Sequence, residues 1–206
     1  MNDVMEMKPS GRWLRLKGAT EGVHDGLDKR IMTANPFASR ERYGLFAKVQ
    51  HAFHREIDAL YARSDLQALF KDLEGRRRLP LIAQDLSDLG MPPPANDQTA
   101  SAPEMDVPTA VGWLYVAEGS NLGAAFLLKA AGRLGLNEGF GARHLAAAPE
   151  GRGLAWRNFT SALDAIPFSP AEEAAVDAAA TEAFARVKAL VEEIMPMEAA
   201  PATADA

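Results

Sequence analysis

The chain has 206 residues, a formal net charge of −6 and no cysteine. That length fits one domain that can bury a sizeable core. The absence of thiols excludes disulfide scaffolds, iron–sulfur clusters and cysteine nucleophiles. The acidic balance argues against a nucleic-acid binder that is held by phosphate contacts.

The ends of the chain differ in composition from its middle. Residues 1–10 contain no apolar leader, and no stretch approaches the roughly 20 apolar residues of a membrane span. We therefore expect a soluble, cytoplasmic protein. Residues 1–10 are predicted to be a flexible extension, 11–195 one domain, and 196–206, rich in alanine and proline, a disordered tail.

The first half of the chain shows the apolar spacing of helices. One helix is predicted from Trp13 to Ile31, and a second begins after Ser39, a residue type that caps helix N-termini. A third helix is predicted from about Leu66 to Leu89, where Gly90 and the prolines after it end it.

The second half continues this pattern after a linker at residues 91–105. Asp106 is the predicted N-cap of a fourth helix, which has Pro108 near its start and runs to about Ala131. Residues 132–153 form a glycine-rich, ordered loop, and two more helices are predicted over about 154–165 and 170–194. No strand alternation is visible, so we predict an all-α, single-domain multi-helix bundle.

Two glycines lie inside the fourth predicted helix. Gly119 and Gly123 are four residues apart and therefore share a face, and each costs roughly 1 kcal/mol relative to alanine. One explanation is a kink or the close packing of a neighbouring helix. The other is a flat ligand that lies against the backbone, where a Cβ would collide.

Histidine is the remaining nitrogen ligand, at positions 24, 51, 54 and 144. On the first helix His24 neighbours Thr20, Leu27 and Asp28, at the inward edge of the apolar stripe. It is either a satisfied boundary residue or a ligand of haem iron. Together, an inward-facing histidine and a helix face that has glycines in place of side chains could hold a haem between them.

Several stretches then place the sequence near a known family. They cover roughly residues 13–160, and the strongest runs from Gly112 through Glu118-Gly119-Ser120-Asn121-Leu122-Gly123 to Phe126. The others are residues 16–25, 36–43, 50–54, 84–90, 141–145 and 151–156. In these stretches the chain resembles the bacterial haem oxygenases, especially the iron-acquisition members of Gram-negative bacteria. The resemblance implies a bundle in which haem is sandwiched between a proximal helix and a kinked distal helix.

The resemblance also implies residue roles. His24 matches the proximal ligand of the haem iron, and His54 and His144 match a distal network of polar groups and water. The implied cofactor-binding residues are Lys17, Thr20, His24, Tyr115, Gly119, Ser120, Gly123, Lys129 and His144. The implied catalytic residues are Gly119, Ser120, Gly123 and His54. Lys17, Tyr115 and Lys129 match positions near the haem propionates, for which a cation or a phenol is a sensible partner.

The implied reaction cleaves haem b, as both substrate and cofactor, to biliverdin, CO and iron. It consumes O2 and electrons from an external donor protein, a ferredoxin or a reductase, and iron acquisition is the expected purpose. Lys17 and Tyr115 resemble the members that cut at the α position. We expect a monomer that binds neither nucleic acid nor membrane.

Two other functions stay open on the sequence alone. A haem-binding module would store or deliver haem and share His24, but it would not need a bare helix. A structural bundle would use the two glycines as a packing seam. For Glu118, beside the glycines, a structural hydrogen-bonding role is expected, because a carboxylate that faces haem is costly to bury.

Overall fold

The computed structural model describes residues 11–91 and 105–195. Its α-helices are α1 (Arg12–Thr33), α2 (Arg40–Ile57), α3 (Ser64–Leu69), α4 (Leu79–Asp88), α5 (Val107–Gly132), α6 (Arg152–Ala165) and α7 (Pro170–Ile194). Three 3₁₀ turns lie at Asp58–Ala62, Glu74–Arg76 and Arg143–Leu145. Within the described ranges β-pairing is limited to isolated bridges at Asn137, so the all-α prediction is confirmed. The predictions for residues 1–10, the linker from 92 onwards and 196–206 fall on or extend into residues outside these ranges.

None of the helices in the described part of the chain is both long and apolar enough to span a bilayer.

The predicted helix starts are confirmed by their caps. Ser39 accepts a hydrogen bond from the Arg42 backbone N–H at 3.3 Å, and Asp106 accepts one from the Thr109 N–H at 2.9 Å. α7 begins with a capping box, in which the side chains of Ser169 and Glu172 each bond to the other residue's backbone N–H. These side chains satisfy amide groups that have no partner within the helix.

The prediction of one helix from Leu66 to Leu89 is wrong. The segment divides into α3, a 3₁₀ turn and α4. α3 ends at Leu69, Asp72 in the turn that follows lies in the left-handed region (φ 59°), and Pro80 lies in the first turn of α4. The break leaves Phe70 in extended conformation, and its ring stacks on Phe159 of α6 with centroids 4.7 Å apart.

The core is built around the contact between α5 and α7, against which α1 and α2 also pack. Pro108 and residues 110–118 of α5 are buried, whereas most residues from Gly119 onwards are not. At Gly112 a Cβ would lie 2.6 Å from the Val176 carbonyl oxygen and 2.7 Å from the Ala179 Cβ. Only glycine allows the two backbones to approach this closely.

The start of α1 is fixed by a buried arginine. The Arg12 guanidinium donates to the Leu163 and Ile166 carbonyls, the latter at 2.6 Å, and pairs with Glu173 at 2.7 Å. Buried charges are tolerated when they are paired and hydrogen-bonded in this way. These contacts join α1 to the end of α6, to the turn that follows it and to the start of α7.

We predict that Gly112→Ala destabilises the protein. The added methyl collides with α7 backbone, at a cost of about 1–3 kcal/mol. That cost outweighs the gain of about 1 kcal/mol that alanine normally brings to a helix. The measurement is the urea midpoint of the apoprotein. Gly18→Ala in α1, where a Cβ has no atom within 4 Å, is the control and should be neutral or stabilising. Equal midpoints for the two variants would contradict this account of the α5–α7 contact.

Candidate functional site

His24 lies on the open margin of α1 rather than inside the core, with 53% of its side chain exposed. Its ring meets Phe184 of α7 edge to face, with centroids 5.7 Å apart. Its Nδ1 is 3.6 Å from an Asp28 carboxylate oxygen and 3.7 Å from one of Asp25. Carboxylates on this side favour the tautomer that carries its proton on Nδ1, which leaves the Nε2 lone pair for a metal.

The two glycines of the distal segment, residues 119–123 of α5, are not needed for packing. A Cβ at Gly123 would have no atom within 4 Å, and one at Gly119 would meet only the Trp156 ring, at 3.6 Å. This is ordinary contact, in contrast to the collision at Gly112. The observation counts against a packing seam and favours a ligand that lies on the bare backbone. The helix is continuous through both glycines, and the predicted kink stays a prediction.

Apolar side chains beside these residues are exposed. Val23 precedes His24 and is 42% exposed, Leu122 precedes Gly123 and is 44% exposed, and Phe126 is 64% exposed. Exposed large apolar side chains mark binding sites when they form a patch. Such side chains lie next to His24 and to the distal segment in the chain, which suits an apolar ligand such as a porphyrin.

Thr20 and Tyr115 lie beside each other near these elements. The Thr20 hydroxyl of α1 donates to the Leu16 carbonyl at 2.8 Å and lies close enough to the Tyr115 phenol of α5 to affect its pKa. Burial raises the pKa of Tyr115, and Thr20 opposes that shift. His24 and Gly119 each lie one helical turn beyond this contact. α1 and α5 both pack along α7 and make few contacts with each other.

The other exposed residues that were predicted to bind haem lie near His24 or near the two glycines in the sequence. Lys17 is exposed and shares a face of α1 with Thr20 and His24. Lys129 is exposed in the last turn of α5. Ser120 is exposed, and its hydroxyl donates to the Ala117 carbonyl at 2.7 Å. These positions suit two cations at the rim of a ligand and a small side chain at its face.

His54 and His144 are buried, in a polar cluster that also contains Asp85. His144 Nδ1 lies 2.8 Å from an Asp85 oxygen, and Asp85 accepts two backbone N–H groups, from Arg143 and His144, at 3.0 Å. Burial opposes the charge on Asp85, but these hydrogen bonds hold its pKa below the usual range. Sequence reasoning assigned no role to Asp85, although the stretch that contains it was part of the resemblance.

Two ring nitrogens of this cluster have no protein partner among the described residues. They are His54 Nδ1 and His144 Nε2, and both are buried. Burial, together with the charges of His144 and Arg78, lowers the pKa of His54 to about 3, so its ring is neutral. Buried polar atoms of this kind are usually satisfied by ordered water. The arrangement fits the predicted distal water network, which stays a prediction.

Glu118 has the structural contacts expected for it. It is buried, and it accepts hydrogen bonds from the Tyr61 hydroxyl at 3.1 Å and from Arg76 at 3.0 Å. Burial raises its pKa, and the Arg76 charge acts in the opposite direction. These bonds anchor α5 at the residue before Gly119.

Haem fits this set of residues. An accessible imidazole, a helix face without side chains, exposed apolar groups and two exposed lysines match an iron porphyrin with two carboxylates. No group of three or more histidine and acidic side chains able to hold a free metal ion occurs in the described part of the chain.

Comparisons with known proteins agree with this geometry. The chain is 40% identical over 178 residues to heme oxygenase PigA from Pseudomonas aeruginosa, covering 86% of this chain and 90% of that protein. It is 42% identical to the NO- and CO-bound haem oxygenase from Neisseria meningitidis. The two structures match with a TM-score of 0.86 over 93% of this chain and 95% of that one.

A more distant structure shares the fold. The haem oxygenase from Leptospira interrogans is 17% identical, with a TM-score of 0.74 over 89% of this chain and 100% of that one. The sequence model of the haem oxygenases matches residues 13–193, nearly all of the described part of the chain. This chain therefore belongs to the haem oxygenase family.

Proposed function

We propose that this protein is a haem oxygenase that cleaves haem to biliverdin, CO and iron. The observation that carries the proposal is the pair formed by the accessible His24 imidazole and the glycines at 119 and 123, which packing does not require. Family membership supports it. Haem, when bound, supplies both the iron at which O2 is reduced and the ring that is cut.

The α1 side of the site holds the substrate. His24 Nε2 is the proposed iron ligand, and Asp28, near Nδ1, orients the ring and keeps the proton on that nitrogen. Phe184 limits rotation of the imidazole by its edge contact. The distal segment supplies space on the opposite face, because Gly119 and Gly123 put no side chain there.

The rim of the site fixes the orientation of the haem. Lys17 and Lys129 are proposed to pair with the propionates, with the Tyr115 phenol beside them. Tyr115 lies beside Thr20, which we propose limits the positions of its hydroxyl. We infer that this arrangement seats haem for cleavage at the α position.

Proton supply is assigned to the buried polar cluster. Asp85 pairs with Nδ1 of His144, and the buried Nε2 of the same ring is proposed to bind water. His54 is neutral and offers another ring nitrogen to the same water. The cluster thus orders water without placing a charged side chain against the haem.

The partners follow from what the chain lacks. No flavin or nicotinamide fingerprint is present in the sequence, so electrons come from a separate ferredoxin or reductase. We also propose that the protein acts as a monomer and serves to release iron. The rival function, haem storage, shares the His24 ligand, and the open backbone at Gly123 argues against it.

We predict that His24→Ala abolishes the Soret band of a histidine-ligated complex and reduces biliverdin formation by at least about 100-fold. The reason is loss of the imidazole that binds the iron. The measurement is a haem titration followed by reduction in air. Added imidazole should restore the band in the variant, which separates ligand loss from misfolding. Unchanged spectra and rates would remove His24 from the site.

We predict that Gly123→Leu blocks the distal face. The side chain enters open space, so the apoprotein stays folded, while haem affinity or biliverdin formation falls about tenfold or more. Gly132→Leu, at the end of the same helix and equally open, is the control. If Gly123→Leu turns over at the rate of the control, the glycine has no role at the haem.

We predict that the wild-type product is α-biliverdin and that Lys17→Ala with Tyr115→Phe yields a mixture of isomers. Loss of two propionate contacts allows haem to bind in more than one rotation. Chromatography of the extracted biliverdin measures the distribution. A single α isomer from the double variant would assign the orientation to other residues.

A further inference from the structure

Arg152 joins the distal segment to the loop before α6. Its Nη1 donates to the Asn121 carbonyl of α5 at 3.0 Å, and its other terminal nitrogen donates to the Leu145 carbonyl. Asn121 lies midway between Gly119 and Gly123. The guanidinium therefore contacts the backbone of α5 at the centre of the bare segment.

A second arginine acts on the other side of Gly119. Arg76 donates to the buried Glu118 carboxylate at 3.0 Å and to the Ala155 carbonyl of α6 at 3.3 Å. Residues 118 and 121, on either side of Gly119, are thus both tied to α6 or its preceding loop through guanidinium groups. The segment between them carries no side chain large enough to pack, so these polar ties replace the missing apolar contacts.

Burial of the Arg152 guanidinium disfavours its charged form. Burial and the charge of Arg78 lower its pKa, and the charge of Glu138 acts in the opposite direction. Arg152 forms no ion pair among the described residues. Its hydrogen bonds go to carbonyl oxygens instead. A helix carbonyl that accepts a side-chain donor is free to tilt away from the helix axis, and such positions are where helices bend.

We propose that Arg152 is a positioning residue for the haem reaction. By donating a hydrogen bond to the Asn121 carbonyl, it sets the tilt of the distal segment and the distance between its backbone and the haem. Arg152 also donates to the carbonyl of Leu145, the neighbour of His144, and so connects the position of the distal segment to the buried polar cluster. The proposal rests on the proposed function only in that the segment faces haem; the backbone contact itself is independent of it.

The space around Arg152 makes a specific experiment possible. A cavity of about 460 Å³ lies beside it, lined among others by Arg78, Asn121 and Trp156. Removing the guanidinium enlarges an existing opening, so a guanidinium ion from solution can enter and restore the two hydrogen bonds.

The first measurement uses the apoprotein and needs no haem. In Arg152→Ala, hydrogen exchange of a peptide that covers residues 119–126 should rise about tenfold or more, because the segment opens locally. Exchange in α7 should stay unchanged. Arg157→Ala, an exposed arginine on the same helix, is the matched control and should leave both unchanged. Guanidinium chloride at low millimolar concentration should reverse the effect, whereas sodium chloride should not.

The second measurement uses the haem-loaded protein with CO as a probe. The infrared CO stretch reports the polarity and distance of the distal backbone, so Arg152→Ala should shift or broaden the band and guanidinium should restore it. Arg152→Lys, which keeps the charge but lacks the two-pronged donor, should fall between wild type and Arg152→Ala. If Arg152→Ala does not fold, the Lys variant alone decides through the same two readouts.

Two results would overturn the proposal. One is exchange of the 119–126 peptide that stays within twofold of the control; the other is raised exchange with an unmoved CO band. Failure of the proposed function looks different, because wild type would then form no biliverdin while the exchange result still stood.

Discussion

The structure depends on the division of α5 into two halves. The first half is pressed against α7, where Gly112 lets the two backbones meet, and the second half leaves its backbone bare at Gly119 and Gly123. Burial of the first half anchors the helix in the core, and the second half, in which most residues are not buried, extends from that anchor. A site on the bare half gains a rigid support that its own side chains do not provide.

Polar contacts, in addition to apolar packing, position the helices that carry the site. Glu118 and the carbonyl of Asn121 are held by arginines, and Arg12 ties α1 to the α6–α7 turn. Such bonds are directional, so they fix the height and rotation of the helices that carry the site. His24 and the distal segment are therefore placed by elements that are themselves anchored elsewhere in the bundle.

Much of the fold could be predicted from the sequence because its signals are local. The caps at Ser39 and Asp106 and the apolar spacing of α1, α2 and α7 depend only on neighbouring residues. The end of α3 at Leu69 could not be predicted this way, because the ring of the next residue, Phe70, stacks on Phe159, which is far away in the sequence.

The site divides in the same manner. His24, Gly119 and Gly123 could be identified from the sequence, because a histidine at the edge of an apolar helix face and two glycines four residues apart are patterns of spacing along the chain. The contacts of Asp85 and Arg152 join residues far apart in the chain, 59 positions from Asp85 to His144 and 31 from Arg152 to Asn121, so only the folded chain shows them. The empty space around Gly123, which counts against a packing seam, is likewise visible only in the folded chain.

The central claim is that a haem bound by His24 lies against the bare half of α5 and is cleaved there. The most direct test is to titrate wild-type apoprotein with haem and then add a reductant in air while recording visible spectra. The account predicts one haem per chain, a Soret band of a histidine-ligated complex and its replacement by the biliverdin spectrum. A protein that binds no haem, or that holds reduced haem in air without losing the Soret band, would contradict it.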